Sequence, residues 1–151
     1  MKLKTISLGF SLGLAFLFFA CGPEPVPLEI EVTGADYQWH IRYPGNDGLL
    51  HSDDDILALR HVHLPSSTPV KIHLKSRDFI YAFRVPELKQ SQMAIPDLDF
   101  ALDFKTPAPG LFQLKGDQMC GFAHPDLIGE LVVEPRAGFL DWLQQVQNSP
   151  P

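Results

Sequence analysis

From Leu28 onward the chain runs in short stretches that alternate apolar and polar residues and stop at clusters of Pro, Gly and Asp. Leu28-Glu29-Ile30-Glu31-Val32 and Pro69-Val70-Lys71-Ile72-His73-Leu74-Lys75 show the alternation cleanly, as strands with one buried face do. Residues 36–43 read as an aromatic-rich strand closed by the turn Pro44-Gly45-Asn46-Asp47-Gly48. Further strands are expected over 56–64, 79–85, 100–105, 110–115 and 129–134. Only residues 138–147 place apolar side chains (Phe139, Trp142, Leu143, Val146) at helical spacing. Many short strands about 8–12 residues apart predict an all-β, Greek-key β-sandwich with a short C-terminal helix. The 151 residues suffice for one domain with one core.

The N-terminus reads as an export signal. Met1-Lys2-Leu3-Lys4 is a basic start, residues 5–20 form an uncharged 16-residue run rich in apolar side chains, and Cys21 follows Ala20. The expected division is a lipoprotein-type signal over 1–20, then a lipidated Cys21 with a Pro-rich tether over 21–27. A folded domain over 28–147 and a frayed tail over 148–151 complete it. The alternative is an uncleaved anchor, for which 16 residues are short of the roughly 20 that span a bilayer. Either places the domain outside the cytoplasm, on the periplasmic side, tethered to a membrane. Cleavage before Cys21 shifts the net charge from -6 to -8, with 10 basic against 18 acidic residues. Such a domain repels nucleic acid and suits a basic partner such as a small cytochrome. With Cys21 lipidated, Cys120 is the only thiol left, and no intramolecular disulfide can form.

The chemistry concentrates in Gly116-Asp117-Gln118-Met119-Cys120-Gly121-Phe122-Ala123-His124-Pro125-Asp126-Leu127. A thiolate and an imidazole four residues apart on a loop between strands can converge on one metal, and soft sulfur favours copper. A further nitrogen would come from His40, His51, His61, His63 or His73. His61 and His63 share a face and His73 could lie on an adjacent strand. Against a surface metal, Val62 and Leu64 take the apolar face and leave the histidines to solvent.

Taken in order, several segments resemble the copper-binding, cupredoxin-fold domain of cytochrome c oxidase subunit II. Tyr37-Gln38-Trp39 is similar to the family's aromatic strand, and residues 43–48 to the turn after it. Leu64-Pro65 with Pro69-Val70, then residues 76–88, resemble the strand and loop that carry the first ligand. Gln92-Met93-Ala94-Ile95-Pro96 looks like the next loop. Pro109-Gly110-Leu111-Phe112 leads into the copper loop, and residues 139–143 match the terminal helix. The resemblance runs from about Glu31 to Leu143, and ahead of it stands the 16-residue run where the family carries a pair of transmembrane helices.

The resemblance implies a binuclear centre of two cysteines, two histidines, a methionine and a backbone carbonyl. Carried over residue by residue, Cys120 and His124 keep their places, and the carbonyl falls on Gln118. The first histidine falls on Tyr81, the first cysteine on Gly116 and the methionine on Leu127, so those three ligand positions are lost. Two thiolates bridge the copper pair, and Gly116 has no side chain; a phenol with an ordinary pKa of about 10 replaces imidazole at Tyr81. No functional binuclear copper centre is expected, and at most a single copper ion.

Three roles stay open to Cys120 and His124. They are relics packed into the fold, or they hold one Cu(I) with Met119 or Tyr81 completing the set, or Cys120 is a redox-reactive thiol. Trp39 is read as a core or interface residue, because Ile41 stands where many relatives have a second tryptophan. The resulting expectation is a non-catalytic accessory or docking component of a haem-copper oxidase or related respiratory complex. The alternatives are a copper delivery or storage module using Cys120 and His124, and an electron-transfer subunit with copper.

Overall fold

The computed structural model describes residues 25–118 and 124–149. The expected signal, Cys21, Met119 and Cys120 lie outside them. Among the described residues, ten strands form two five-stranded sheets, an all-β arrangement of the kind the alternation predicts. The first sheet has the order β3-β2-β1-β5-β8: β3 (Ile56–Leu59), β2 (Gln38–Tyr43), β1 (Leu28–Ala35), β5 (Pro69–Ser76) and β8 (Phe100–Lys105). The second has the order β4-β10-β9-β6-β7: β4 (Val62–Pro65), β10 (Gly129–Glu134), β9 (Gly110–Gln118), β6 (Tyr81–Val85) and β7 (Gln90–Ala94). A helix, α1 (Arg136–Asn148), packs on β3, β4 and β10. Among the described residues, no helix is long and apolar enough to cross a membrane.

The side-chain period of two decides what lies between the sheets. In β5, Val70, Ile72 and Leu74 are buried while Lys71, His73 and Lys75 face out. Its parallel partner β1 contributes Ile30 and Val32, in register with Ile72 and Leu74. From the other sheet come Tyr81, Phe83, Val85, Leu114, Leu131 and Val133. Both sheets, the helix and this core all fall within residues 25–149, so the segment carries its own core.

Two departures from the expected strands have clear causes. The single strand expected over 56–64 is two, in different sheets. Arg60 adopts a left-handed φ of 70°, and its N–H bonds to the Trp39 carbonyl at 2.8 Å, turning the chain from β3 across to β4. Ile56, Ala58, Val62 and Leu64 are all buried, so the alternation passes through the break without marking it. Strand β7 escaped notice because Gln90, Ser91 and Gln92 make a polar edge strand with no apolar period.

His63 does not lie in open solvent. Its ring stacks on Trp142 of α1 with centroids 3.9 Å apart and planes 5° off parallel, and Nδ1 is 2.8 Å from the Glu134 carboxylate. Burial pushes its pKa down, outweighing the pull of Glu134. The folded protein therefore prefers the neutral ring, whereas an unfolded chain titrates near 6.5. The His63 contribution is complete above about pH 6.5 and is lost as pH falls below it. Urea unfolding between pH 7.5 and about pH 5.5 should show stability decreasing with acid, with a shallower slope in His63→Gln. An unchanged slope would exclude His63 as a source of the decrease.

Candidate functional site

The three residues that the resemblance sets at lost ligand positions lie close together in space, although Tyr81 is far from the others in sequence. Strands β6 and β9 run antiparallel with Phe83 opposite Gly116 and Tyr81 opposite Gln118. The first-histidine position thus faces the carbonyl-donating position across one ladder. After the loop, a 3₁₀ turn over Pro125–Leu127 brings Leu127 into the core with no exposed surface. The Leu127 carbonyl accepts a 3.1 Å hydrogen bond from the Trp39 indole N–H.

Gly116 is wedged against both partners. A Cβ built there would lie 2.6 Å from the Leu127 carbonyl oxygen, 2.7 Å from Leu127 Cβ and 2.7 Å from Trp39 Nε1. Real Cβ atoms do not approach backbone so closely, so β9 and the turn would have to separate to admit any side chain. Trp39, fully buried, also packs edge-on to Tyr81 at 5.8 Å and to Phe83 at 5.6 Å. The core role read for Trp39 is the one observed. Where the resemblance places the family's ligands, this chain has a buried indole packed edge-on to a phenol and bonded to the Leu127 carbonyl, with the Leu127 side chain in the same core.

The Tyr81 phenol ring has no exposed surface and fills the space that Gly34 leaves: a Cβ on Gly34 would sit 2.3 Å from the ring. Its hydroxyl donates to the Asp78 carboxylate at 2.7 Å and accepts from the Tyr37 N–H at 3.3 Å. Burial, then the adjacent carboxylate, pushes the phenol well above its ordinary pKa. At neutral pH the proton stays on the oxygen and is held by Asp78, so Tyr81 is not an anionic metal donor. Asp78 is opposed by burial, but hydrogen bonds from the Tyr81 hydroxyl and the N–H groups of Asp36 and Phe79 keep its carboxyl below the ordinary range. Asp78 thereby ties β6 to the β1–β2 turn. The sequence reading missed this role, although the three-residue spacing from Asp78 to Tyr81 was there to see.

The same turn holds Tyr37, which the sequence placed on the aromatic strand without a role beside the loop. Asp36 and Tyr37 both have left-handed φ, 51° and 61°, in the two-residue connection closed by the Ala35–Gln38 pair. Such a turn favours Asn-Gly, and a bulky residue there is an outlier. Tyr37 stacks between Phe79 at 5.3 Å and His124 at 4.7 Å. This stack fixes the position of the one described histidine of the loop. His124 Nδ1 is 3.5 Å from an Asp126 carboxylate oxygen, and among the described residues it has no hydrogen-bond partner.

Where the resemblance sets the first cysteine and the first histidine, the residues present do not fit a binuclear copper centre: Gly116 has no room for a side chain and Tyr81 is a protonated phenol. Among the described residues, no three His, Cys, Asp or Glu side chains are grouped to hold a metal. His63 pairs with Glu134 in one sheet and His73 with Glu29 at 3.0 Å in the other, so the histidine trio does not assemble. Cys120 lies outside the described residues.

No family model matches the chain. It is 28% identical over 139 residues to the alternative cytochrome c oxidase subunit 2 of Bradyrhizobium diazoefficiens, covering 78% of this chain and 50% of that protein. It is 23% identical over 125 residues to quinol oxidase subunit 2 of Bacillus cereus, covering 83% of this chain and 40% of that one. The chain thus spans half or less of the length of these curated relatives. Its fold matches the crystal structure of the periplasmic domain of cytochrome oxidase subunit II (CoxB) of Bradyrhizobium japonicum. The TM-score is 0.70 at 19% identity, over 83% of this chain and 96% of that one. The CoxB domain caught in a mixed disulfide with a thioredoxin-like protein matches with a TM-score of 0.67 at 20% identity, over 83% of this chain and 97% of that one. In sequence the chain is similar to subunit 2 of cytochrome c oxidases, and its cupredoxin-like fold is that of the periplasmic domain of cytochrome oxidase subunit II.

Proposed function

We propose that this chain is an exported, membrane-tethered relative of oxidase subunit II that serves as an accessory or docking component of a haem-copper oxidase or related respiratory complex, without a binuclear copper centre. The observation that carries the reading is the contact of Gly116 with Leu127 and Trp39, which leaves no room for a bridging thiolate. The likeness to a quinol oxidase subunit 2 as well as to cytochrome c oxidase subunits supports it, since the chain is similar to subunits of both kinds of oxidase. The periplasmic origin of the matching solved domain supports an extracytoplasmic location, and residues 1–27 suit a lipid anchor at Cys21. The acidic net charge suits a basic partner such as a small cytochrome.

A second reading has one specific observation in its favour. His124 is positioned by Tyr37 with an Nδ1 that lacks a hydrogen-bond partner among the described residues, and Cys120 lies four residues away. Those two groups suit a single Cu(I), with the Gln118 carbonyl as a further donor, in a delivery or storage module.

Anaerobic Cu(I) loading of residues 22–151, followed by desalting and metal analysis, separates the readings. The accessory role predicts that no copper is retained. One copper per chain, lost in Cys120→Ala, would favour the copper module, and two with a mixed-valence spectrum would refute the absence of the binuclear centre. Purification of the full chain from its native membranes should also bring down a haem-containing oxidase. Elution without haem absorbance would defeat the docking role.

A further inference from the structure

Tyr37, Tyr43 and Tyr81 are the tyrosines of the chain, and only one of them has a proton acceptor built beside it. The Tyr43 hydroxyl is buried and accepts the His63 N–H at 2.8 Å. Among the described residues, the Tyr81 hydroxyl alone donates to a carboxylate, at 2.7 Å from Asp78 Oδ1. The acceptor is itself held in place, since Oδ1 takes the Phe79 N–H at 2.7 Å and Oδ2 the Asp36 N–H at 2.7 Å. Against the opposing effect of burial, these bonds keep Asp78 below the ordinary carboxylate range, so at neutral pH it is ionised and free to take a proton. The Tyr81 ring has no exposed surface, whereas Asp78 lies at the surface. One ring joins the phenol to solvent. Phe79 sits edge-on to Tyr81 at 6.4 Å, is 44% exposed and stacks on Tyr37 at 5.3 Å.

We propose that Tyr81 and Asp78 form a proton-coupled redox site, at which Tyr81 gives one electron to a high-potential metal oxidant that reaches the exposed face of Phe79. The Tyr81 O–H bond breaks. Its electron passes to the oxidant's metal, which falls by one oxidation state, and its proton forms an O–H bond with Asp78 Oδ1. The phenol becomes a neutral phenoxyl radical, and the pair goes from one negative charge to none. Burial selects this course. Loss of the electron first would leave a radical cation in the core, and loss of the proton first would leave a phenolate there; a low dielectric penalises both. Passing the proton along a hydrogen bond that already exists creates neither charge. The radical is then enclosed by the core, out of contact with solvent.

Flash oxidation of residues 22–151 by tris(bipyridine)ruthenium(III), generated from the ruthenium(II) complex with a cobalt(III) quencher, tests the site. Transient absorption gives the rate, and electron paramagnetic resonance of frozen samples identifies the radical. The expected result is a phenoxyl signal that persists in Tyr37→Phe and Tyr43→Phe and is lost in Tyr81→Phe, which removes only the hydroxyl. Its formation should slow at least twofold in heavy water and should not depend on buffer concentration, because the proton acceptor is internal. Asp78→Asn should slow it at least tenfold and make it rise with buffer base. Asp78 also holds the β1–β2 turn, so if that variant fails to fold, the isotope and buffer measurements on the unaltered chain decide. A signal that survives Tyr81→Phe, or that belongs to Tyr37 or Trp39, would overturn the proposal. Formation without an isotope effect, or an asparagine variant oxidised as fast as the original, would do the same.

Discussion

Gly116→Cys, the substitution that puts back the missing thiolate, should unfold the domain more easily by about 3 kcal/mol and should not create a binuclear copper site. Overpacking a tight core costs about 1–3 kcal/mol, and disturbing a buried hydrogen bond adds about 1–3 kcal/mol. Both apply here, because the new Cβ would enter at 2.6 Å from the Leu127 carbonyl and 2.7 Å from the indole nitrogen that this carbonyl accepts from. The contacts are with backbone, Cβ and a rigid ring, none of which moves cheaply. Gly116→Ala should lose nearly as much, since the clash begins at Cβ and the sulfur is incidental. Guanidinium denaturation of residues 22–151 measures it. A change within about 0.5 kcal/mol for both variants, the range of ordinary surface substitutions, would mean that β9 and the 125–127 turn part readily. The ligand space would then be open after all.

Trp39→Ala should cost about 4 kcal/mol and Trp39→Phe about 2 kcal/mol, the first through a large cavity and the second chiefly through the unsatisfied Leu127 carbonyl. Trp39 is fully buried, touches Tyr81 and Phe83 edge-on, and holds the turn after the loop by its indole N–H. The loss should therefore be local in its signature. Amide resonances at Leu127 and His124 should shift in Trp39→Phe, while those around the His63–Trp142 stack stay in place. If the phenylalanine variant is as stable as the original, the indole bond does not hold the turn and Trp39 acts by packing alone.

The alternation in 28–32 and 69–75 already specified β1 and β5 and which of their side chains are buried, because a half-buried strand imposes a period of two. The helix at the C-terminus was equally legible from Phe139, Trp142 and Val146. The break at Arg60 was not, since its cause is a left-handed backbone angle at a residue type that does not advertise one. Nor was β7, whose strand character comes only from pairing with β6.

At the candidate site the sequence, set beside the family it resembles, showed what is missing: Gly116 has no side chain, Tyr81 has no imidazole and Leu127 no sulfur at the positions where the resemblance places ligands. It could not say what had become of the space. Only the tertiary structure decided that, by bringing β6, β9, the 125–127 turn and Trp39 together so that Leu127 and Trp39 close the space at Gly116 and the Tyr81 ring is buried beside them. The same folding set Asp78 under the Tyr81 hydroxyl and Tyr37 against His124. Ligand identity is local chemistry and is written residue by residue. Whether a vacated ligand position is open or filled depends on contacts between strands far apart in the chain, and no local pattern encodes those.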